Sequence, residues 1–224
     1  MLTTEQKRDL QEAIENYNFP TVAFDFKLDQ ELQLKNMYKV EEYIISLLLN
    51  PDSSAIRDGL SNILYWGYAT AGYRDYRVSL FRENVTSYQL QIAGELFRRT
   101  AQPTITEIKE LGMPQFSGIS FISKIRMFLD PEKSAVLDKQ IIKMKFSAYG
   151  EQTILAKVSH SPKEGQIRPS KPNSYAYEAW CHRLLAISTC NFDSKYRAVD
   201  IERGLFALIR KGKLDDAAKI LANA

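Results

Sequence analysis

TITEIKELGMPQFSGISFISKIRMFLDPEKSAVLDKQII, residues 104–142, fixes the expected architecture of this chain. Thr104 stands ahead of an apolar run with Glu107 three residues on, the spacing of a reciprocal N-terminal cap, so a helix is expected over 105–111. Gly112 supplies a left-handed stop, and residues 113–117 then read as a tight turn. A second helix follows over 119–129, with Ile119, Ile122, Ile125 and Phe128 recurring at helical spacing. Asp130-Pro131 breaks it, because proline has no N–H for the ladder and its ring clashes with the preceding turn. Residues 135–137 read as a short extended piece, and Asp138 as the cap of a further helix running to about Tyr149.

Working outward gives more helices. Thr3 or Thr4 caps a first one carrying Leu10, Ile14 and Tyr17, which ends before Phe19-Pro20. Residues 21–28 alternate Val22, Phe24 and Phe26 in the manner of an edge strand or a strap. Helices are expected over 36–49, 53–66, 77–84 and 87–99, with an aromatic cluster, Tyr65-Trp66-Gly67-Tyr68 and Tyr73, at a glycine-punctuated turn. After a proline-rich, cationic loop over 159–174, helices resume over 175–190, 198–210 and 215–222. No internal repeat is present. The fold class is therefore all-α, with at most a short N-terminal extended segment.

Composition narrows the function. At 224 residues and 45% hydrophobic, the chain buries a substantial core. A net charge of +3 is too small for a purely electrostatic nucleic-acid binder, so any such contact is local. Cys181 and Cys190 form no CxxC, so neither a disulfide framework nor a zinc site is expected. No apolar run is long enough to span a bilayer, and no secretory leader is apparent. The expectation is a cytoplasmic protein, nucleoid-associated if prokaryotic, without a membrane partner. No phosphate-binding loop, dinucleotide fingerprint, metal-ligand spacing or nucleophile elbow occurs, so no cofactor, metal or nucleotide is expected.

Two short helices joined by a tight turn present free N–H groups that hold a phosphate without a cationic side chain. In this respect residues 104–142 resemble the helix-hairpin-helix superfamily of DNA glycosylases, which includes the 8-oxoguanine, endonuclease III-like and alkyl-base enzymes. In those enzymes a Leu-Pro-Gly-Val-Gly hairpin is followed, after one helix and a piece ending Val-Asp, by a catalytic aspartate. Met113-Pro114-Gln115-Phe116-Ser117 matches the hairpin in outline, and Val136-Leu137-Asp138 matches the second piece. The resemblance implies a two-lobed helical domain spanning 1–224: a hairpin-centred lobe over about 53–150, and a second lobe from about 1–50 and 175–224. It implies a monomer that flips a damaged or modified base out of double-stranded DNA and uses Asp138 to assist N-glycosidic cleavage.

Asp138 is thus the candidate catalytic residue. A fixed carboxylate stabilises the oxocarbenium-like charge that develops on the sugar. An aspartate in this position also serves as a plain helix cap. Candidate DNA contacts are Gln115, Phe116, Ser117, Gly118, Ser120, Lys124 and Lys139, with Arg126, Lys143 and Lys145 extending a basic rim. Two departures bear on mechanism. Gln115 and Ser117 replace the hairpin glycines, with Gly118 displaced by one. The position matching the Schiff-base lysine of bifunctional members is Ile119, and Lys124 lies about 140° further around the same helix. Its direction then leaves no amine beside Asp138, so the resemblance favours a monofunctional enzyme that uses water.

Tyr65, Trp66, Tyr68 and Trp180 are candidates for a base pocket, because aromatic rings stack on any extruded base. The same rings would serve equally as core. Tyr177 and His182 lie beside Trp180 on the expected late helix. With only His160 for company, His182 suggests neither a metal site nor a catalytic triad. Arg197, Asp200 and Glu202 are placed for salt bridging. The reading from another class is a non-catalytic DNA-binding or protein-interaction module that keeps the helix-hairpin-helix scaffold.

Overall fold

The computed structural model describes residues 1–160 and 165–223 and shows a mainly helical chain around one continuous apolar core. Ten α-helices are described: α1 (Thr4–Glu15), α2 (Met37–Leu48), α3 (Ser53–Gly67), α4 (Arg74–Asn84), α5 (Ser87–Phe97), α6 (Ile105–Glu110), α7 (Ile119–Leu129), α8 (Lys171–Phe192), α9 (Ala198–Arg210) and α10 (Leu214–Asn223). Three short 3₁₀ turns, Ile141–Phe146, Gly150–Gln152 and Ile154–Lys157, lie between α7 and α8. None of the described helices is long and apolar enough to cross a membrane.

The helix starts follow from side-chain chemistry. Thr3, Thr86 and Thr104 each accept the N–H of the third helical residue, whose Gln or Glu side chain returns the bond, so two otherwise orphaned donors are satisfied at each start. At α3 the cap is Asp52, whose Oδ1 accepts Ser54 N–H at 2.9 Å. α4 begins at Arg74, three residues before the expected start, and α8 at Lys171, with Ser170 as cap and Pro172 in its first turn. The late helix therefore absorbs the end of the expected 159–174 loop. Pro162 and Lys163 of that loop lie outside the described residues.

The extended segment is half of a hairpin. β1 (Val22–Asp25) pairs antiparallel with β2 (Gln30–Gln33), Val22 opposite Gln33 and Asp25 opposite Gln30. β2 carries no apolar alternation, since Gln30, Glu31 and Gln33 are exposed, which is why its pattern gives no strand signal. β1 is tied to α3 by Asn62, whose amide accepts Phe24 N–H at 2.7 Å and donates to Phe24 O at 3.0 Å.

α3 is packed against α2, α4, α5, α7 and β1, and α9 against α1, α8 and α10. Four charges, three of them buried and Arg197 half-buried, join α2 to α9. Glu41 meets Arg197 at 2.6 Å and Arg203 at 2.6 Å, and Asp200 closes on Arg197 at 2.8 Å. The expected helix from Asp138 to Tyr149 is absent. The chain there forms 3₁₀ turns, and Gly150 lies so close to the carbonyl of Lys145 that a Cβ would stand 1.9 Å from that oxygen.

Candidate functional site

The turn between α6 and α7 has the expected outline. Gly112 adopts φ +61°, and Phe116 N–H bonds Met113 O at 3.2 Å, closing a turn with Pro114 and Gln115 at its centre. Gln115 holds φ +68°, a left-handed conformation that favours glycine, and its Oε1 accepts from Arg77 at 3.1 Å. The residue that replaces the hairpin glycine thus keeps glycine's backbone shape.

The environment of this turn narrows its possible contacts. Phe116 is core, packed edge-on to Phe81 at 5.5 Å and also against Phe121, so its side chain faces no ligand. Ile119 N–H, one of the free donors of α7, is taken by Ile167 O at 3.0 Å, and Gly118 is buried beneath Gln166. Ser117 is exposed, and its N–H has no partner among the described residues. Ser120 is half-buried, and its carbonyl accepts from Lys124.

Asp138 is positioned from three directions. Leu137 N–H donates to Ser123 Oγ of α7 at 3.1 Å, Tyr177 Oη donates to Ala135 O at 2.9 Å, and Trp180 Nε1 donates to Val136 O at 3.2 Å. Tyr177 and Trp180 are fully buried. Trp180 therefore braces the segment that carries Asp138 and does not line a pocket. Asp138 itself is half-buried; its Oδ1 accepts the N–H groups of Gln140 at 2.8 Å and Ile141 at 3.1 Å, and among the described residues Oδ2 is free. The side-chain to backbone bonds expected of this aspartate are present, but on the turn ahead of the 3₁₀ helix Ile141–Phe146, since the α-helix they would cap is absent.

Lys124 bears on the directional argument made from the sequence. It is 6% exposed, and burial lowers the pKa of its amine, opposed first by the charge of Asp138 and then by that of Glu202. The lysine therefore lies within electrostatic reach of the aspartate, with no hydrogen bond or ion pair between the two among the described residues, whereas Ile119, the matched position, is wholly in the core. Gly67, at the end of α3, makes room for this: a Cβ there would meet Phe121 at 2.7 Å and the Lys124 stem at 3.2 Å. Lys124 Nζ keeps one hydrogen bond, to Ser120 O at 3.1 Å, and lies 4.8 Å from the centre of the Phe121 ring.

The basic rim is smaller than expected. Arg126 is buried and bonded to Glu178 and Gln102. Lys139 and Lys143 are exposed, and Lys145 is half-buried against Val158 O. His182 is exposed.

The aromatic residues divide between two sides of α3. Tyr65 belongs with the hairpin: its hydroxyl bonds Glu31, and Arg74 lies 3.8 Å over its ring. Trp66, one residue on and so about 100° around the helix, packs edge-on to Phe19 at 5.0 Å and Phe128 at 5.2 Å. Its Nε1–H is buried with no acceptor among the described residues. Tyr68 is half-buried against Phe121 at 4.6 Å.

Two further rings were not apparent from the sequence as site residues. Phe206 of α9 and Tyr17, just after α1, stand 6.3 Å apart, and Phe206 is 6.2 Å from Phe19. Tyr17, Phe19 and Phe206 are half-buried and form a bowl with Trp66. Beside it lies a cavity of about 170 Å³, lined by Tyr17, Phe206 and Arg210 among others. The Tyr17 phenol has its pKa raised by burial, and next by the charge of Glu202, with Asp138 also contributing. Tyr17, Glu202 and Asp138 therefore lie within electrostatic reach of one another. Residues far apart in the chain, with no shared periodicity, gave no signal of this meeting. Among the described residues no cluster of His, Cys, Asp or Glu could hold a metal ion.

Compared with family models, with curated proteins and with solved structures, the chain matches none.

Proposed function

We propose that the protein is a DNA base-excision glycosylase of the two-lobed helix-hairpin-helix kind, in which Lys124 supplies the nucleophile and Asp138 the carboxylate. One observation carries this reading: the amine of Lys124 is buried within electrostatic reach of Asp138, its stem against Gly67 at the end of α3, next to Trp66 and the half-open bowl of aromatic rings. A lysine desolvated in this way is more often neutral and so nucleophilic. Its nitrogen attacks C1′ of the flipped nucleotide as the bond to the base breaks, and the bonding pair leaves with the base. Asp138 stabilises the positive charge on the sugar and accepts the proton that the attacking amine sheds. The C1′–O4′ bond of the resulting aminal then opens, its pair going to O4′, which takes up the proton held by Asp138; the imine so formed makes the enzyme bifunctional, in place of the water-using chemistry expected when position 119 is taken as the lysine site. The exposed Ser117 N–H and Lys139 are the contacts offered to the duplex backbone.

A non-catalytic DNA-binding module would keep the turn and the surface lysine but has no use for a buried lysine beside a carboxylate, which costs stability. The test is base-release profiling on oxidised, alkylated, deaminated and hypermodified duplexes, with borohydride trapping on the substrate that is released and on an abasic duplex. Wild type should release a base and form a covalent adduct. Lys124→Gln should lose the adduct, and Asp138→Asn should slow release by about 10²–10³-fold. No release and no adduct from wild type, with salt-sensitive DNA binding retained, would refute the enzyme in favour of the binding module.

A further inference from the structure

A second cleft, of about 380 Å³, lies between the hairpin and α4. Its floor is aromatic. Phe24 and Phe26 stand two residues apart, on and just beyond β1, so they share one face of the strand. Asn62 of α3 fixes that strand through both backbone polar groups of Phe24. The Phe24 ring lies 4.9 Å from Phe26 and 5.3 Å from Tyr65. Tyr65, a base-pocket candidate from the sequence, lines this cleft. The wall is α4, where Arg74, Val78 and Arg82 recur every four residues and so stand in one row. Arg74 is stacked 3.8 Å over the Tyr65 ring, and Arg82 4.0 Å over the Phe26 ring. Phe24, the middle ring, has no cation over it among the described residues.

Both guanidiniums are held in place before any ligand arrives. Arg74 donates to Glu31 at 3.2 Å and to Asp75 at 3.0 Å, and Arg82 to Asp58 at 2.7 Å and to Ser61 Oγ at 3.1 Å. Their side chains are 24% and 22% exposed, so little rotamer freedom is left to lose on binding. The charges around the cleft then select the ligand. The carboxylates of Glu31, Asp58 and Asp75, with Asp29 at the rim, outnumber the two guanidiniums, which disfavours a phosphate or any other anion. An organic cation would meet guanidiniums already seated on the two outer rings. A neutral planar ring meets neither obstacle. It stacks on Phe24 and on the guanidinium planes. Its edge finds both donors and acceptors: among the described residues, Nη2 of each arginine, the Asp29 carboxylate and the exposed Ser79 hydroxyl make no hydrogen bond. We infer that this cleft binds a neutral nitrogen heterocycle of the nucleobase or nucleoside class, at a site separate from the one proposed for catalysis. Its volume falls within the ~300–1,000 Å³ of small-molecule sites.

The inference stands apart from the glycosylase reading, and its test uses no DNA. Adenosine, guanosine, cytidine and thymidine are titrated into the full chain by calorimetry and saturation-transfer NMR, beside their 5′-monophosphates as anionic probes and choline as a cationic one. At least one nucleoside should bind with Kd below about 1 mM, more tightly than its monophosphate or choline. Ser79→Trp, at an exposed position where an indole fills the cleft, should abolish that binding. Arg74→Gln should weaken it by about five- to a hundredfold through loss of the stacking plane. Thermal melts close to wild type show that both variants are folded. Lys124→Gln should bind the nucleoside as wild type does. The inference is overturned if no nucleoside binds at about 1 mM, or if a monophosphate or choline binds more tightly than every nucleoside. Binding that survives Ser79→Trp, is unchanged in Arg74→Gln or is lost in Lys124→Gln puts the nucleoside elsewhere and overturns it too. Wild type that releases no base from DNA removes the glycosylase reading and leaves this result intact.

Discussion

Replacing Lys124 with methionine should make the protein more stable while abolishing the proposed lysine chemistry. The ammonium is desolvated, retains a single hydrogen bond to Ser120 O, and is surrounded by the Phe121 ring and the end of α3 at Gly67. Methionine keeps the aliphatic stem that fills this space and removes the charge. The lost bond to the carbonyl is worth about 1–2 kcal/mol, and the relieved desolvation several kcal/mol. The two acids left behind are not stranded: Asp138 keeps two backbone N–H donors, and Glu202 holds its proton more firmly once the cation is gone. The net change is a gain of about 1–2 kcal/mol, which for a chain of this size raises Tm by about 2–8 °C. Thermal unfolding followed by circular dichroism at neutral pH measures it, alongside borohydride trapping on abasic DNA. A Tm several degrees below wild type would show that the ammonium contributes net structural stability, and the functional reasoning from its burial would fail. A gain in stability with loss of the adduct is the signature of a residue kept for chemistry.

Glu202 makes stability depend on pH in a defined direction. Its carboxyl is raised from 4.5 to about 8 on folding, so the folded chain binds the extra proton, and the contribution present at low pH is lost as pH rises towards 8. Urea melts of wild type and Glu202→Gln should therefore diverge in the variant's favour by of order 1 kcal/mol per pH unit between about pH 5 and pH 8; parallel curves would contradict the raised value. Gln115→Gly relieves a left-handed backbone at the cost of the bond from Arg77, and thermal unfolding should show a gain of no more than about 1 kcal/mol. A loss of stability there would mean that the Arg77 contact outweighs the strain. Lys139→Ala should lower the slope of log binding constant against log salt by about one, measured on undamaged duplex; an unchanged slope would remove Lys139 from the backbone contacts.

Much of the helical framework was legible before any coordinates. The starts of α1, α5 and α6 are written in Thr-x-x-Gln and Thr-x-x-Glu spacings, and the helix over 119–129 and the one over 198–210 are found where their apolar repeats begin and end. Such features are local, because a cap or an amphipathic stripe is satisfied within one or two turns of chain. β2 was missed, since its residues face water and carry no alternation, and its pairing with β1 exists only between the two strands.

The candidate site divides along the same line. Asp138 and the 113–117 turn are contiguous motifs and could be picked out from residue order, as could Trp66. That Lys124 and Glu202 are buried, that Trp180 is a brace and that Arg126 is internal are matters of tertiary packing. The physical reason is that burial and charge proximity are set by pairs of residues dozens of positions apart, while periodicity constrains only neighbours along one helix. Sequence alone placed Asp138 as a cap; only the way α3, α7 and α9 pack could bury Lys124 and Glu202 within its electrostatic reach.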